Sequence, residues 1–276
     1  MDDYFAAKMR LFGHVVADGG TAVVWMDDEW SAQAVEHVRQ RGLRLLSVGE
    51  QGTDVRLLAR TPTQLGQTLE VECEGKVRKV NLPLIGAYQA ANALVSAGLA
   101  LASGLEVARV FDALGRLQPV RGRLERAAIN RAGAPVYVDY AHTPDAIDAA
   151  IAALRPHVLG RLITVFGAGG DRDGGKRPEM GRAACVGSDV VIVTDDNPRG
   201  EDAAGIRAAV MAGCDAKARE IGDRRSAIAA AIAEAGRDDI VLVAGKGHEQ
   251  GQIIGRGDAM RILPFDDVQV ARECTT

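Results

Sequence analysis

The sequence predicts an α/β protein in two parts, the second of them a doubly wound parallel sheet, and three observations carry that prediction. The chain has 276 residues, longer than one domain usually runs. Aromatic residues make up only 4% of it while Ala, Val and Leu abound, which suits helices packed on a sheet by aliphatic side chains better than a β-sandwich. In the second half, short apolar runs alternate with helical ones, the order required by a parallel sheet covered on both faces.

Each element follows from its local pattern. TAVVW (21–25) reads as a buried strand, WSAQAVEHVRQRG (30–42) as a helix stopped by glycine, and RLLSVG as the next strand. DVRLLART, QTLEVEC and KVRKVNLPL follow without helical segments between them, which predicts a small antiparallel meander. A helical pair, AYQAANALVSAGLALASG and VARVFDALGRL, closes this half. QPVRGRLER (118–126) places a proline, a glycine and three arginines between two periodic regions and marks the domain boundary, set between residues 122 and 123. Beyond it the strands APVYVDY, RLITVFG, DVVIVTD and DIVLVAG alternate with helices starting near Pro144, Pro178, Ala203 and Arg225.

Composition excludes several function classes. A net charge of −4 and a pI near 5.8 argue against a general nucleic-acid binder. No stretch reaches the roughly 18 uninterrupted apolar residues of a spanning helix, and no export signal is visible, so a cytoplasmic protein without membrane partners is expected. Cys73, Cys185, Cys214 and Cys274 lie far apart with no paired ligand spacing. They read as reduced structural thiols, not a zinc site.

Four strands of the second half end in polar loops, and in doubly wound sheets the carboxyl ends of strands are where ligands bind. In GAGGDRDGGKRPEMG (167–181) the glycines allow close backbone approach, and Arg172, Lys176 and Arg177 can meet an anion near a helix start. The stretch approximates a phosphate-binding loop but has Arg177 where a hydroxyl is needed; a long surface loop with solvated charges is the alternative. TDDNPRGED offers Asp196 and Asn197 for an ammonium group and Arg199 for a carboxylate, a set that fits an amino acid, while an Asx turn capping the next helix explains the same residues structurally. AGKGHEQ places Lys246, His248 and Glu249 beside Gly245 and Gly247, and Glu249 can accept from a second ammonium. DYAHTPDA sets Asp139 and His142 ahead of a helix: His142 can touch a phosphate and Asp139 a ribose or metal-bound water, or Thr143 can simply cap the helix.

VDYAHTPDA, VFGAGGDRDGGKRPEMG, TDDNPRGED and AGKGHEQ, in that order, together with DDYFAAKMRLF, LIGAYQAANAL and GRLER, resemble the Mur ligase family of peptidoglycan synthesis over essentially the whole chain. The resemblance implies part of the central, ATPase domain over residues 1–122 and a Rossmann-like, acceptor-binding C-terminal domain over 123–276. It further implies an ATP-dependent, amide-forming ligase that adds meso-diaminopimelate to UDP-MurNAc-L-Ala-D-Glu through an acyl phosphate, with Mg²⁺ as cofactor, small molecules as partners and a monomeric state. The arginine of DNPR is the type associated with diaminopimelate, whose extra carboxylate lysine lacks. By the same transfer, Arg172, Asp196, Asn197, Arg199, Gly245 and Glu249 hold diaminopimelate. Asn92, Arg123 and Asp139 contact ATP, and His142 lies near the phosphates. Lys8 resembles the lysine that family members carbamylate to help organise Mg²⁺, chemistry that burial of the amine favours; a helix-surface charge is the other reading.

Family members carry, ahead of the AAK segment, a UDP-sugar domain and a Gly-Lys-Thr phosphate loop, neither of which is found in these 276 residues. Met1 coincides with a place where relatives can have an internal methionine. A C-terminal portion, inactive as a ligase by itself, is therefore expected. The competing readings are a binding module that retains acceptor or nucleotide affinity, and a related folylpolyglutamate-type ligase, against which DNPR and GKGHE speak.

Overall fold

Apolar runs too short for helices and bounded by turn residues build the sheets on which everything else packs. The computed structural model describes residues 2–275; Met1, on which the expectation of an internal start rests, lies outside them. The chain divides into two compact units, Met1–Gln118 and Pro119–Thr276.

The first unit runs α1 (Asp2–Arg10), a π-helical turn (Leu11–Val15), β1 (Thr21–Trp25), α2 (Ser31–Gln40), β2 (Arg44–Gly49), β3 (Val55–Thr63), β4 (Gly66–Cys73), β5 (Lys76–Leu82), α3 (Ala87–Ala102) and α4 (Val107–Leu114). The meander β3–β4–β5 is antiparallel as its sequence predicts. Its second turn is a two-residue hairpin: Cys73 pairs with Lys76, and Glu74 and Gly75 between them have φ of 53° and 67°, the primed geometry that matches strand twist. The meander is not a separate sheet, however. Val48 and Gly49 of β2 pair in parallel with Val55 and Arg56 of β3, giving one mixed sheet in the order β1-β2-β3-β4-β5. Leu94, Ala97, Phe111 and Leu114 of α3 and α4 share a core with Val48, Leu69 and Val71, while Val35 and Val38 of α2 share another with Ala22 and Val24.

The second unit contains β6 (Glu125–Ile129), β7 (Pro135–Asp139), α5 (Pro144–Leu154), β8 (Leu162–Phe166), α6 (Lys176–Gly187), β9 (Val190–Val193), α7 (Ala203–Met211), β10 (Ala218–Glu220), α8 (Arg224–Glu234), β11 (Ile240–Ala244), β12 (Gly251–Ile254), β13 (Arg261–Pro264) and α9 (Asp267–Cys274). Its main sheet has the order β10-β9-β8-β11-β7-β6, parallel except for β6. Every residue of β7, β8 and β11 is buried, the mark of strands covered on both faces. Helices α5, α6 and α7 pack side by side, and α8 packs on α9.

Several details differ from the sequence reading. Glu125 and Arg126, read as boundary, open the edge strand β6. Helix α6 starts at Lys176, two residues before Pro178, whose fixed φ is tolerated because the first turn needs no internal N–H bond. The hairpin β12–β13 and helix α9, absent from the sequence reading, follow the last core strand. Among the described residues no helix is long and apolar enough to cross a membrane.

Tyr137, on β7, is 1% exposed. Burial pushes its phenol from the ordinary 10 up to about 12, although Arg126 pulls the other way. The folded value exceeds the unfolded one, so the stability Tyr137 contributes is intact below pH ~10 and is lost as pH rises through about 12. A tyrosinate absorbance titration should show a group ionising near 12 that is missing from Tyr137→Phe, and that variant should lose stability less steeply at alkaline pH.

Candidate functional site

Parallel strands leave their last carbonyls without ladder partners, and the loops that follow need donors. One guanidinium supplies several. Arg224, at the start of α8 and fully buried, donates to the carbonyls of Ala244 at 2.9 Å and Asp195 at 3.3 Å and holds Asp267 of α9 through Nε and Nη2 at 2.8 and 2.7 Å. Burial alone opposes its charge; the Asp267 carboxylate outweighs that, and the net effect holds Arg224 above its ordinary value.

On this base the loops after β7, β8, β9 and β11 enclose a cleft of about 330 Å³. Arg172, Asp196, Asn197, Arg199, Gly245 and Glu249 all line it, with His142, Lys176 and Arg177. The acidic and amide groups come from the DNPR and GKGHE loops. Asp196 is 6% exposed, and its Oδ1 lies 3.0 Å from the ammonium of the fully buried Lys246. That contact is poorly aligned, since Oδ1 has no hydrogen-bond partner of good geometry. Asn197 Nδ2 donates to Glu249 Oε2 at 2.9 Å. Gly245 has φ of +120° and its missing Cβ would lie 3.3 Å from Asp196 Oδ2, so both backbone and space favour glycine there.

Arg199 is held by its backbone. Its φ is +50°, unusual for a side chain that is not Asn or Asp, and the conformation is secured by the β12 strand: Arg199 N–H donates to Ile253 O at 3.0 Å and Gly255 N–H to Arg199 O at 2.7 Å. Its Nη1 donates to Gly170 O at 2.8 Å. The Gly170 N–H donates to Asn197 O at 2.9 Å, and a Cβ on Gly170 would fall 1.9 Å from the Pro198 oxygen, so this contact between loops requires glycine.

Two further ion pairs fasten the glycine-rich loop. Arg177 Nη2 bonds Glu201 Oε1 at 2.9 Å, and Arg256, in the β12–β13 turn, pairs with Asp171. The Arg256 bond holds Asp171 below its usual range, and the Arg177 bond does the same for Glu201. Neither Arg256 nor Lys246 carries a role in the sequence reading. Arg256 sits in GRGDA with no motif to flag it, whereas Lys246 stood inside a flagged loop without any sign that it is buried.

The nucleotide residues separate. Arg123 stacks its guanidinium 5.0 Å from the Tyr140 ring centroid, and His142 and His248 approach the same ring at 4.5 and 5.0 Å. His142 Nδ1 lies 2.8 Å from Tyr140 O, so Nδ1 carries the proton and Nε2 is the free ring atom. The Asp139 oxygens accept from Leu124 N–H at 2.8 Å and Ala141 N–H at 2.9 Å, and it is not among the cleft-lining residues. Burial raises its carboxyl pKa, and those two bonds and Arg123 oppose the rise. These bonds tie Asp139 to the segment bearing Arg123.

In the first unit, Asn92 is exposed on α3. Lys8 is exposed on α1 with its ammonium 5.3 Å from the Tyr4 ring, not buried as carbamylation favours. Among the described residues no group of three His, Cys, Asp or Glu side chains is placed to hold a metal ion. The residues present do not by themselves fit a Mg²⁺ site.

Both units match known protein families. Residues 1–100 match the Mur ligase middle domain and residues 122–247 the Mur ligase glutamate ligase domain. The chain belongs to the Mur ligase family. It is 58% identical over 273 residues to the "UDP-N-acetylmuramoyl-L-alanyl-D-glutamate--2,6-diaminopimelate ligase" of Zymomonas mobilis, covering 99% of this chain and 56% of that protein. The enzyme of the same name from Caulobacter vibrioides is 52% identical, with 97% and 54% covered. A solved structure of a ligase of that name superposes with a TM-score of 0.75 at 32% identity, over 99% of this chain and 56% of that one. The chain thus spans about half the length of the curated relatives it matches.

Removing one partner of the buried pair should be severe. Arg224→Met leaves Asp267 charged and unpaired and is expected to cost about 3–5 kcal/mol in chemical denaturation, whereas Arg224→Met with Asp267→Leu should cost clearly less.

Proposed function

We propose that the second unit is the acceptor-binding part of a ligase that joins meso-diaminopimelate to UDP-MurNAc-L-Ala-D-Glu, with ATP as co-substrate and Mg²⁺ as cofactor, in peptidoglycan synthesis. The observation that carries this reading is a charge-divided cleft: a buried Asp196, beside Asn197 and Glu249, shares one hollow with Arg172 and Arg199. Carboxylates suit an ammonium, and guanidinium forks suit a carboxylate. The amino-acid head distal to the reacting amine is thereby gripped at both charges, and the corresponding end of lysine is an ε-ammonium without a carboxylate. The names of the relatives supply the acceptor, diaminopimelate, which has two such heads and can leave the other amine free to react.

In the reaction, ATP passes its γ-phosphoryl group to the D-glutamyl carboxylate and ADP leaves. The free amine attacks the acyl carbon, loses a proton and expels phosphate. Diaminopimelate held by Arg172, Arg199, Asp196, Asn197, Gly245 and Glu249 presents that amine in a fixed direction, which removes orientational freedom from the attack. Arg123 and Asp139 are proposed to contact ATP, and His142 its phosphates through Nε2; Asn92, in the first unit, carries an ATP-contact proposal of its own. The proposed Lys8 carbamate and Mg²⁺ need surroundings that these residues alone do not build. No step is assigned to them.

Calorimetry tests the reading. The chain should bind meso-diaminopimelate, bind L-lysine at least about tenfold more weakly for want of the second carboxylate, and lose about 2–5 kcal/mol of diaminopimelate affinity in Arg199→Ala. ATP binding should be unchanged in that variant. Equal losses for both ligands, or indifference to the second carboxylate, would refute the assignment. A phosphate-release assay run alongside separates binding from turnover.

A further inference from the structure

Resting on that reading of the cleft, we propose that Lys246 is the positioning residue of the ammonium subsite: its buried charge dictates which way the Asn197 amide faces and thereby aims Glu249 at the acceptor. Lys246 is 0% exposed, and a lysine held there needs acceptors on every side. Its Nζ lies 2.8 Å from Asn197 Oδ1, 2.9 Å from Gly251 O, 3.0 Å from Asp196 Oδ1 and 3.9 Å from Glu249 Oε2.

An ammonium only donates, so the Asn197 atom facing it must be the oxygen. The Ile253 N–H, 3.0 Å from the same atom, imposes the same choice. Flipping the amide would set its NH₂ against two donors. With Oδ1 fixed, Nδ2 is committed to Glu249 Oε2, and Oε1 is left for the ligand. The charge count agrees. Asp196 and Glu249 carry two negative charges and Lys246 one positive, so the trio presents one net negative charge, suited to a single ammonium. Without Lys246 the two carboxylates would repel each other across the subsite.

The test uses nuclear magnetic resonance and calorimetry on the whole chain. The Asn197 side-chain amide protons are identified by their disappearance in Asn197→Asp. In the wild type they should contact the Glu249 methylene protons. In Lys246→Met, folded by its thermal melt, that contact should weaken, because the neutral Ile253 N–H alone then holds Oδ1, and diaminopimelate affinity should fall about tenfold or more, with ATP binding unchanged. A folded Lys246→Met that keeps both the contact and the affinity overturns the proposal. Should Lys246→Met fail to fold, the wild type decides: amide protons that contact the Ile253 N–H instead of Glu249 overturn it. A wild-type chain that shows the Glu249 contact but binds no diaminopimelate refutes the reading of the cleft while leaving the amide orientation established.

Discussion

The cleft depends on how the ends of parallel strands are satisfied. A doubly wound sheet collects its loops at one edge, where the last carbonyls point out of the ladder and the chain must leave without opening the core to water. Arg224 resolves this for β9 and β11 together, since its planar fork reaches Asp195 O, Ala244 O and the Asp267 carboxylate from a single buried position. The DNPR and GKGHE loops begin at those two carbonyls. Their relative placement is therefore set by a group that never touches the cleft.

Above that base, charge is sorted by depth. Asp196, Asn197 and Lys246 are buried, with the Lys246 ammonium beside both the carboxylate and the amide oxygen, whereas Arg172 and Lys176 line the cleft as exposed residues. A buried anion and amide cannot relax far, so they fix the geometry for an ammonium before it arrives. The arginine side has more freedom, apart from Arg199. There the hairpin β12–β13, which adds little to the main core, clamps a left-handed backbone conformation that an arginine would rarely adopt unaided. The Arg256–Asp171 and Arg177–Glu201 pairs then draw the glycine-rich loop against the same corner.

Much of this was legible in the chain itself, for identifiable reasons. β7, β8 and β11 are unbroken aliphatic runs because both faces are covered, and that burial is what makes them readable. The start of α5 shows in Thr143, read as a cap, whose side chain accepts the Ala146 N–H. GQII and RILP give no comparable signal, because β12 and β13 are four-residue strands without a buried face of their own. Lys8 and Asp139 show the same limit for sites: residue type left the exposure of the amine and the bonding of the carboxylate open, and the fold places Lys8 on an exposed helix face and gives Asp139 two backbone N–H donors.

What the sequence determined by itself is the order of strands and helices, the four polar loops and the kinds of charge they carry, since these follow from periodicity and residue chemistry within a few neighbours. Only the tertiary structure decided which charges are buried and which atom faces which. Lys246 and Asn197 are 49 residues apart along the chain, and the direction of that amide exists only once β9 and β11 end beside the same pocket. A lysine in a glycine-rich loop looks like any solvated cation until packing takes the water away.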